Sequence, residues 1–161
     1  GQSAHHFAAG FDTAWIDFSK GLGAPVGACL AGSAELIEEA WRYKQMLGGA
    51  MRQAGIVAAG ALWALDHNVE RLAEDHANAR RLAEGLAAID GVTLDPATVE
   101  TNIVLFEVAD GAALVEALAA EGVEMAGFGR QVRAVTHLDV DAAGVDRAVE
   151  AVAGALAASS A

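Results

Sequence analysis

The segment DFSKGLGAPVG, residues 17–27, places a lysine between an apolar run and a glycine turn. The letters TAWIDFS before it predict a buried strand, so Lys20 would lie where that strand ends. A lysine becomes a catalyst when its amine forms an imine with a carbonyl compound, which requires a neutral and partly dry amine. Gly21 and Gly23 would let the backbone pass close to a flat ligand. On these residues alone, a purely structural lysine remains the alternative.

Composition narrows the classes of protein that this chain can belong to. Its 161 residues carry a net charge of −12 and are 54% hydrophobic. That charge argues against nucleic acid and against anionic membranes as partners, because both need a basic surface. The longest apolar run, residues 54–65, is too short to span a bilayer. With one cysteine, Cys29, predicted to be a buried small hydrophobe, and no visible export signal, we expect a soluble, cytoplasmic protein.

Hydrophobic periodicity predicts an α/β chain. Near its middle, the pattern changes from a long helical region to β-rich runs that alternate with helices. We predict helices at residues 3–9, 33–43, 51–89, 111–121 and from Asp141 onward, and strands at 13–18, 25–32, 102–108 and 131–138. The order strand, helix, strand, helix in the second half fits a small α/β lobe. We therefore divide the chain into residues 1–80, which include the long connecting helix, and residues 81–161.

Five segments of the chain carry a family resemblance. They are SKGLGAPVG (19–27), MLGGAMRQAGI (46–56), HNVERLAEDHANARRLAEGL (67–86), ETNIVLFEV (100–108) and VRAVTHLDV (132–140). In this order and register they closely resemble the low-specificity L-threonine aldolases. Those are pyridoxal 5'-phosphate enzymes with the fold of the large aspartate-aminotransferase-like group. The resemblance implies the end of a cofactor-binding large domain in residues 1–80 and a small C-terminal domain in residues 81–161.

The resemblance also implies roles for three residues. Lys20 matches the lysine that anchors the cofactor as an internal aldimine. Arg133 matches the arginine that grips the substrate α-carboxylate, and its apolar neighbours suggest a buried segment rather than a surface strand. Arg52 matches an arginine near the cofactor phosphate of a neighbouring subunit, with an interchain salt bridge as the alternative. The implied reaction cleaves L-threonine, L-allo-threonine or a related β-hydroxy-α-amino acid to glycine and an aldehyde.

Other candidate residues receive no catalytic role. His137 is interpreted as a structural hydrogen-bonding residue, and no pair of histidines has the spacing of a metal site. The resembled enzymes commonly carry a basic residue just before the methionine of the glycine loop. Here Gln45 occupies that position, with Lys44 beside it, so the role of that charge is open.

The resemblance covers only the C-terminal half of such an enzyme. The phosphate loop, the ring-stacking histidine and the aspartate facing the ring nitrogen are not found in this chain. We therefore expect it to be inactive alone and to act with the missing N-terminal half, inside a homodimer or homotetramer. Two alternatives stay open: a related pyridoxal-phosphate lyase that performs β-elimination, and a non-catalytic scaffold that keeps the fold.

Overall fold

The computed structural model describes residues 2–159, which divide into two compact units between Glu70 and Arg71. This division lies ten residues before the boundary predicted from the sequence, which follows residue 80. The assignment of the two parts to a larger domain and a small domain stays a prediction. No helix within the described residues is both long and apolar enough to cross a membrane.

The first unit contains a two-stranded ribbon and three helices. Its elements are α1 (Ala4–Ala8), β1 (Thr13–Asp17), β2 (Ala28–Gly32), α2 (Ala34–Met46) and α3 (Gly55–Asn68). Strands β1 and β2 are antiparallel, with Thr13 opposite Gly32 and Asp17 opposite Ala28. Both strands leave most of their side chains exposed, because the ribbon has no second layer on either face within the described residues.

Helix α2 begins as its sequence predicts. The Ser33 hydroxyl accepts a hydrogen bond of 3.3 Å from the Leu36 N–H, which satisfies one of the free donors at the helix start. Helix α3 has apolar residues on every side, yet only Ala61 and Ala64 are buried. Helices that are apolar all round are typical of protein interiors, so the exposed sides of α3 are surfaces that favour contact with further protein.

The second unit is an α/β sandwich of one sheet and three helices. Its elements are α4 (Leu72–Ala87), a 3-10 turn (Pro96–Thr98), β3 (Ile103–Glu107), α5 (Gly111–Ala120), β4 (Ala126–Phe128), β5 (Gln131–Val135) and α6 (Ala142–Ser159). The sheet has the order β3-β5-β4, and both pairings are antiparallel. The last strand in the sequence is therefore the central one.

Strict alternation along the strands builds the core of the second unit. In β3, Val104 and Phe106 are buried while the residues between them are exposed, and β5 alternates in the same way. The buried side of the sheet packs against one face of each helix. The fully buried members include Leu86 on α4, Leu118 on α5 and Val152 on α6.

Helices α4 and α6 approach each other closely. A Cβ placed on Gly85 would lie 2.7 Å from Cγ2 of Val149, so glycine is what permits this distance. A surface ion pair joins the same two helices. Arg81 donates from Nε to Asp146 Oδ1 over 2.7 Å and from Nη2 to Oδ2 over 2.6 Å. These hydrogen bonds hold the pKa of Asp146 below its usual value, against a smaller opposing effect of desolvation.

The structure confirms most of the predicted elements and corrects two of the expectations. The long helical region at 51–89 is two helices, α3 and α4, with a short interruption between Asn68 and Leu72. The short strand β4 was not predicted. It forms because the main chain of residues 126–128 pairs with β5, and a glycine-containing trio has little strand preference of its own.

Candidate active site

The turn that carries Lys20 is held by main-chain hydrogen bonds. The Gly23 N–H donates to the Lys20 carbonyl over 2.8 Å, which closes a β-turn over residues 20–23, and Gly23 has a φ of 71°. The Ala24 N–H donates to the Phe18 carbonyl over 2.8 Å. Glycine is needed at position 23 because other residues rarely adopt a positive φ there. These bonds thus fix the main chain at Lys20.

Asp17 organises the start of this turn. Its Oδ1 accepts from the Ser19 hydroxyl over 2.7 Å and from the Ser19 N–H over 3.0 Å. Its Oδ2 lies 3.8 Å from the Lys20 Nζ. The Ser19 hydroxyl is the largest cause that lowers the pKa of Asp17, and the Lys20 charge adds to it, while desolvation opposes both. Asp17 therefore remains a carboxylate throughout the neutral range.

Helix α3 packs against the turn that carries Lys20 and the residues that follow it. Leu22 and Ala24 are buried. The Asn68 side-chain amide donates to the Leu22 carbonyl over 2.7 Å. A Cβ placed on Gly60 would lie 3.0 Å from Pro25 Cδ, so the helix and the turn are in close contact. The glycine-rich turn is consequently packed on its helix side and open on the side of Lys20.

The burial expected for Lys20 is wrong for this chain. The Lys20 side chain is 77% exposed, although its partner Asp17 is only 20% exposed. The reason is that the ribbon has no covering layer within residues 2–159. The same absence of a covering layer leaves Cys29 exposed, where the sequence predicted a buried hydrophobe.

Arg52 lies in the glycine loop between α2 and α3. The next residue, Gln53, has a φ of 52°, the one positive φ at a non-glycine position in the described part of the chain. Helix α3 follows with Ala54 at its N-cap, which offers no side-chain cap. Within residues 2–159 no ion pair or hydrogen bond engages the Arg52 guanidinium, and none joins it to Lys20. The positive end of α3 and the Arg52 charge are neighbours in the sequence.

Arg133 belongs to the second unit and sits at the centre of its sheet. On β5 its direct neighbours are Leu105 on β3 and Ala126 on β4. The segment is not buried as a whole: Val132 and Ala134 face the core, whereas Arg133 and Val135 point to the exposed face, because strand side chains alternate. No carboxylate among residues 2–159 forms an ion pair with Arg133. Its planar, fixed fork is therefore available for an external carboxylate.

A buried polar cluster near Arg133 in the chain was not predicted from the sequence. Thr136 and Asp75 are each only 1% exposed, and the Thr136 hydroxyl donates to the Asp75 main-chain carbonyl over 2.7 Å. Asn102 pairs with the Thr136 main chain in both directions, over 3.0 Å each way. Polar residues at otherwise apolar positions in the VTH and TN segments are the signal that could have indicated this cluster.

His137, next in the chain, keeps the structural role predicted for it. Its Nδ1 accepts from the Asp139 N–H over 3.3 Å. No group of three or more histidine, cysteine, aspartate or glutamate side chains within residues 2–159 is placed to hold a metal ion.

Comparison with known protein families identifies the group to which these features belong. Residues 1–111 match the family model described as beta-eliminating lyase. The chain belongs to the beta-eliminating lyase family. The matched range includes both candidate residues of the first unit, Lys20 and Arg52, and ends before Arg133.

Relatives with curated names support the predicted resemblance. The chain is 42% identical over 114 residues to low-specificity L-threonine aldolase 1 of Arabidopsis thaliana, covering 71% of this chain and 32% of that protein. It is 44% identical over 131 residues to the low specificity L-threonine aldolase of Escherichia coli O157:H7, covering 80% of this chain and 38% of that protein. The chain thus spans about a third of the length of these relatives. The predicted resemblance to this family is confirmed.

Solved structures confirm the fold class. A candidate aromatic amino acid β-eliminating lyase/threonine aldolase from Exiguobacterium superposes with a TM-score of 0.72 at 22% identity, covering 96% of this chain and 48% of that one. Serine palmitoyltransferase of Sphingomonas wittichii superposes with a TM-score of 0.73 at 21% identity, covering 95% and 41%. At these identities the likeness establishes the shared fold.

Proposed function

We propose that this chain is the C-terminal part of a pyridoxal-phosphate-dependent carbon–carbon lyase that cleaves β-hydroxy-α-amino acids. The observation that carries the proposal is the fixed, solvent-facing Lys20 turn in a chain that is 42–44% identical to low-specificity L-threonine aldolases. A primary amine on a rigid turn is what covalent attachment of an aldehyde cofactor requires. The substrates that we propose are L-threonine, L-allo-threonine and close analogues.

The residues present fit the chemical groups of the cofactor. Lys20 supplies an amine for its aldehyde, and Arg52 supplies an uncommitted cation for its phosphate. Arg52 precedes the uncapped start of α3, and the N-terminal end of a helix also favours anions. When bound, the cofactor supplies an electron sink for the pair of electrons released at Cα. Lys20 and Arg52 would hold it, and on the resemblance Arg52 does so for a neighbouring subunit.

Arg133 fits the role of the substrate's carboxylate anchor. Its guanidinium can donate hydrogen bonds to both carboxylate oxygens at once, and the strands on either side fix the position of its backbone. In the proposed reaction the Cα–Cβ bond breaks, the β-hydroxyl loses its proton as the aldehyde forms, and Cα gains a proton to give glycine. Holding the carboxylate orients the bond that breaks, which is the contribution that this chain makes in its second unit.

A related β-elimination is the second candidate. The description of the matched family favours it, because that description names β-eliminating lyases. The two reactions share a lysine and a carboxylate anchor and differ in which bond at Cβ breaks. Release of glycine from L-threonine supports the aldolase, whereas release of ammonia and a 2-oxo acid supports β-elimination.

We further propose that the chain works with the remainder of the same enzyme, in a homodimer or homotetramer located in the cytoplasm. Large apolar side chains of the first unit are exposed, including Trp15, Trp41 and Trp63. Such side chains favour contact with further protein. We expect residues 1–161 alone not to catalyse the reaction, because the resemblance assigns the partners of the cofactor ring to another part of the enzyme.

The test is to replace Lys20 by alanine in the complete enzyme, with Lys44→Ala as the control. Lys44 is the other lysine of this chain and lies over the Trp41 ring at 5.0 Å. The enzyme is treated with borohydride, and peptides are analysed by mass. We expect the reduced cofactor on the Lys20 peptide of the parent and the control, and none on Lys20→Ala. Attachment at Lys44, or normal turnover of Lys20→Ala, would refute the assignment.

A further inference from the structure

We propose that Thr136 is a positioning residue for Arg133, acting through a clamp formed by Asp75, Asn102 and Thr136. This inference rests on the proposed function of Arg133 as a carboxylate anchor. Thr136 follows Arg133 by three residues, just after β5 ends. The clamp would hold that end of β5 so that the Arg133 guanidinium meets the substrate carboxylate in one orientation.

The strand pairing shows why β5 needs support at this point. On one side β4 pairs with β5 only as far as Arg133, opposite Ala126. Beyond Arg133, β5 pairs only with β3, and that ladder ends where Val135 faces Ile103. Arg133 is therefore the last residue of β5 that has a strand on both sides. A strand end that lacks a neighbouring strand on one side can change its twist. A change of twist at the end of β5 would move Arg133, the residue after which pairing on both sides stops.

The clamp replaces the missing support with three hydrogen bonds. The Thr136 N–H donates to the Asn102 carbonyl over 3.0 Å, and the Asn102 side-chain amide donates to the Thr136 carbonyl over 3.0 Å. These bonds extend the β3–β5 pairing by one residue beyond the strands. The Thr136 hydroxyl adds the third bond, 2.7 Å long, to the Asp75 carbonyl on α4.

The helix end of the clamp is itself fixed. The Asp75 side chain is 1% exposed, and its Oδ2 accepts a hydrogen bond of 2.5 Å from Arg71 Nη2. One turn later, Asn78 donates from its side-chain amide to the Val140 carbonyl over 3.0 Å. Helix α4 thus holds the chain after β5 at two places, Thr136 and Val140. A carboxylate anchor placed just before such a rigid segment keeps its orientation without help from the ligand.

The deciding variant is Thr136→Val in the complete enzyme, because valine keeps the shape of threonine and removes only the hydroxyl. Thr136→Ser keeps the hydroxyl. The matched control is Thr98→Val: the Thr98 hydroxyl also donates to a main-chain carbonyl, that of Asp95, over 2.7 Å, but from an exposed turn. Steady-state kinetics with L-threonine are combined with a titration by glycine, followed through the cofactor absorbance, which reports binding without turnover.

We expect Thr136→Val to raise the glycine Kd by about tenfold and to lower kcat/KM for L-threonine by at least as much, because a misplaced guanidinium binds the carboxylate more weakly and orients the breaking bond less well. Thr136→Ser should restore both constants, and Thr98→Val should leave them unchanged. Unchanged binding in Thr136→Val would overturn the inference. So would a serine variant as weak as the valine variant, or equal losses of kcat and bound cofactor, which indicate general unfolding.

Arg133→Lys separates this inference from the function on which it rests. If that variant binds glycine as the parent does, the proposed role of Arg133 fails, and the positioning role fails with it. If Arg133→Lys weakens glycine binding but Thr136→Val does not, the anchor stands and only the positioning role of Thr136 is wrong.

Discussion

The side-chain amide of Asn68 donates a 2.7 Å hydrogen bond to the main-chain carbonyl of Leu22. Asn68 is the last residue of α3, and Leu22 lies inside the β-turn that carries Lys20. One side chain therefore joins the end of a helix to the lysine turn across 46 residues of sequence. The position of the lysine backbone depends on a contact that local sequence does not encode.

Replacing Asn68 by alanine should loosen the lysine turn. The variant leaves the carbonyl of a buried residue without its donor, so we expect the free energy of unfolding to fall by about 1–3 kcal/mol. Denaturant unfolding measures the loss, and faster amide exchange at Gly23 would locate it in the turn. Asp66→Ala, an exposed position on the same helix, should change stability by less than about 0.5 kcal/mol. Equal losses in both variants would show that the Asn68 contact has no special role.

Replacing Arg133 by lysine in the complete enzyme should weaken substrate binding selectively. Lysine keeps the charge but cannot form two parallel hydrogen bonds to a carboxylate. We expect KM for L-threonine to rise by about tenfold or more while the amount of bound cofactor stays that of the parent. Arg130→Lys, at an exposed position one residue before β5, is the control. Loss of cofactor with unchanged KM would contradict the anchor role.

Replacing Gly85 by alanine should destabilise the second unit although alanine favours helices. The added Cβ would lie 2.7 Å from Val149 Cγ2. Overpacking typically costs about 1–3 kcal/mol, against a gain in helix preference of about 1 kcal/mol. Gly154→Ala on α6 is the matched control, since its Cβ would have no atom within 4 Å, and it should stabilise by up to about 1 kcal/mol. The order of the two midpoints in urea decides the matter; a Gly85→Ala protein as stable as Gly154→Ala would show that α4 and α6 separate easily.

The Arg81–Asp146 ion pair should make stability depend on pH in the acid range. The pKa of Asp146 in the folded protein is lowered from 3.8, chiefly by its hydrogen bonds from Arg81. A lowered folded pKa stabilises the protein above the unfolded value, and the contribution is lost as the pH falls through the folded value. The parent should therefore exceed Asp146→Asn in Tm at pH 7, and the difference should shrink below pH 3.8.

Salt provides a second check on the ion pair. Because both side chains are about half exposed, about 1 M salt should reduce the difference in Tm at pH 7. Glu150→Gln, at an exposed position on the same helix, is the control and should lower Tm at pH 7 by less than Asp146→Asn does. A difference in Tm between the parent and Asp146→Asn that persists at pH 2 would mean that packing, not charge, is responsible.

Local patterns predicted the elements that depend on local chemistry. Ser33 caps α2, and the run of β-branched and aromatic residues around Phe106 gives β3, because a cap and a strand-forming run are properties of a few neighbouring residues. The interruption between α3 and α4 has neither glycine nor proline, and Val69 and Arg71 keep helical dihedral angles. The helical periodicity of the sequence therefore continues through this interruption, and no local signal predicts that the helix ends there.

Burial was predicted less well than secondary structure. Apolar letters around Lys20 indicate a strand that is covered in some context, but they do not say which part of the molecule covers it. In residues 2–159 the ribbon has no second layer, so the lysine is exposed. For Arg133 the error was finer: apolar neighbours at 132 and 134 face the core, and alternation alone turns the arginine the other way. The clamp around Thr136 was missed because its bonds join residues 34 and 61 positions apart.

The central place of β5 has a consequence for the order of assembly. During synthesis β3 and β4 leave the ribosome first, yet neither touches the other in the finished sheet. Both strands need residues 131–135 as their partner. Once these residues are available, β5 can form a hairpin with β4 and can pair with β3, which is farther away in the sequence. The strand that completes the sheet is also the one that carries Arg133. A chain that stops before it lacks both the sheet and the guanidinium, so incomplete products would carry no half-built form of the proposed carboxylate anchor.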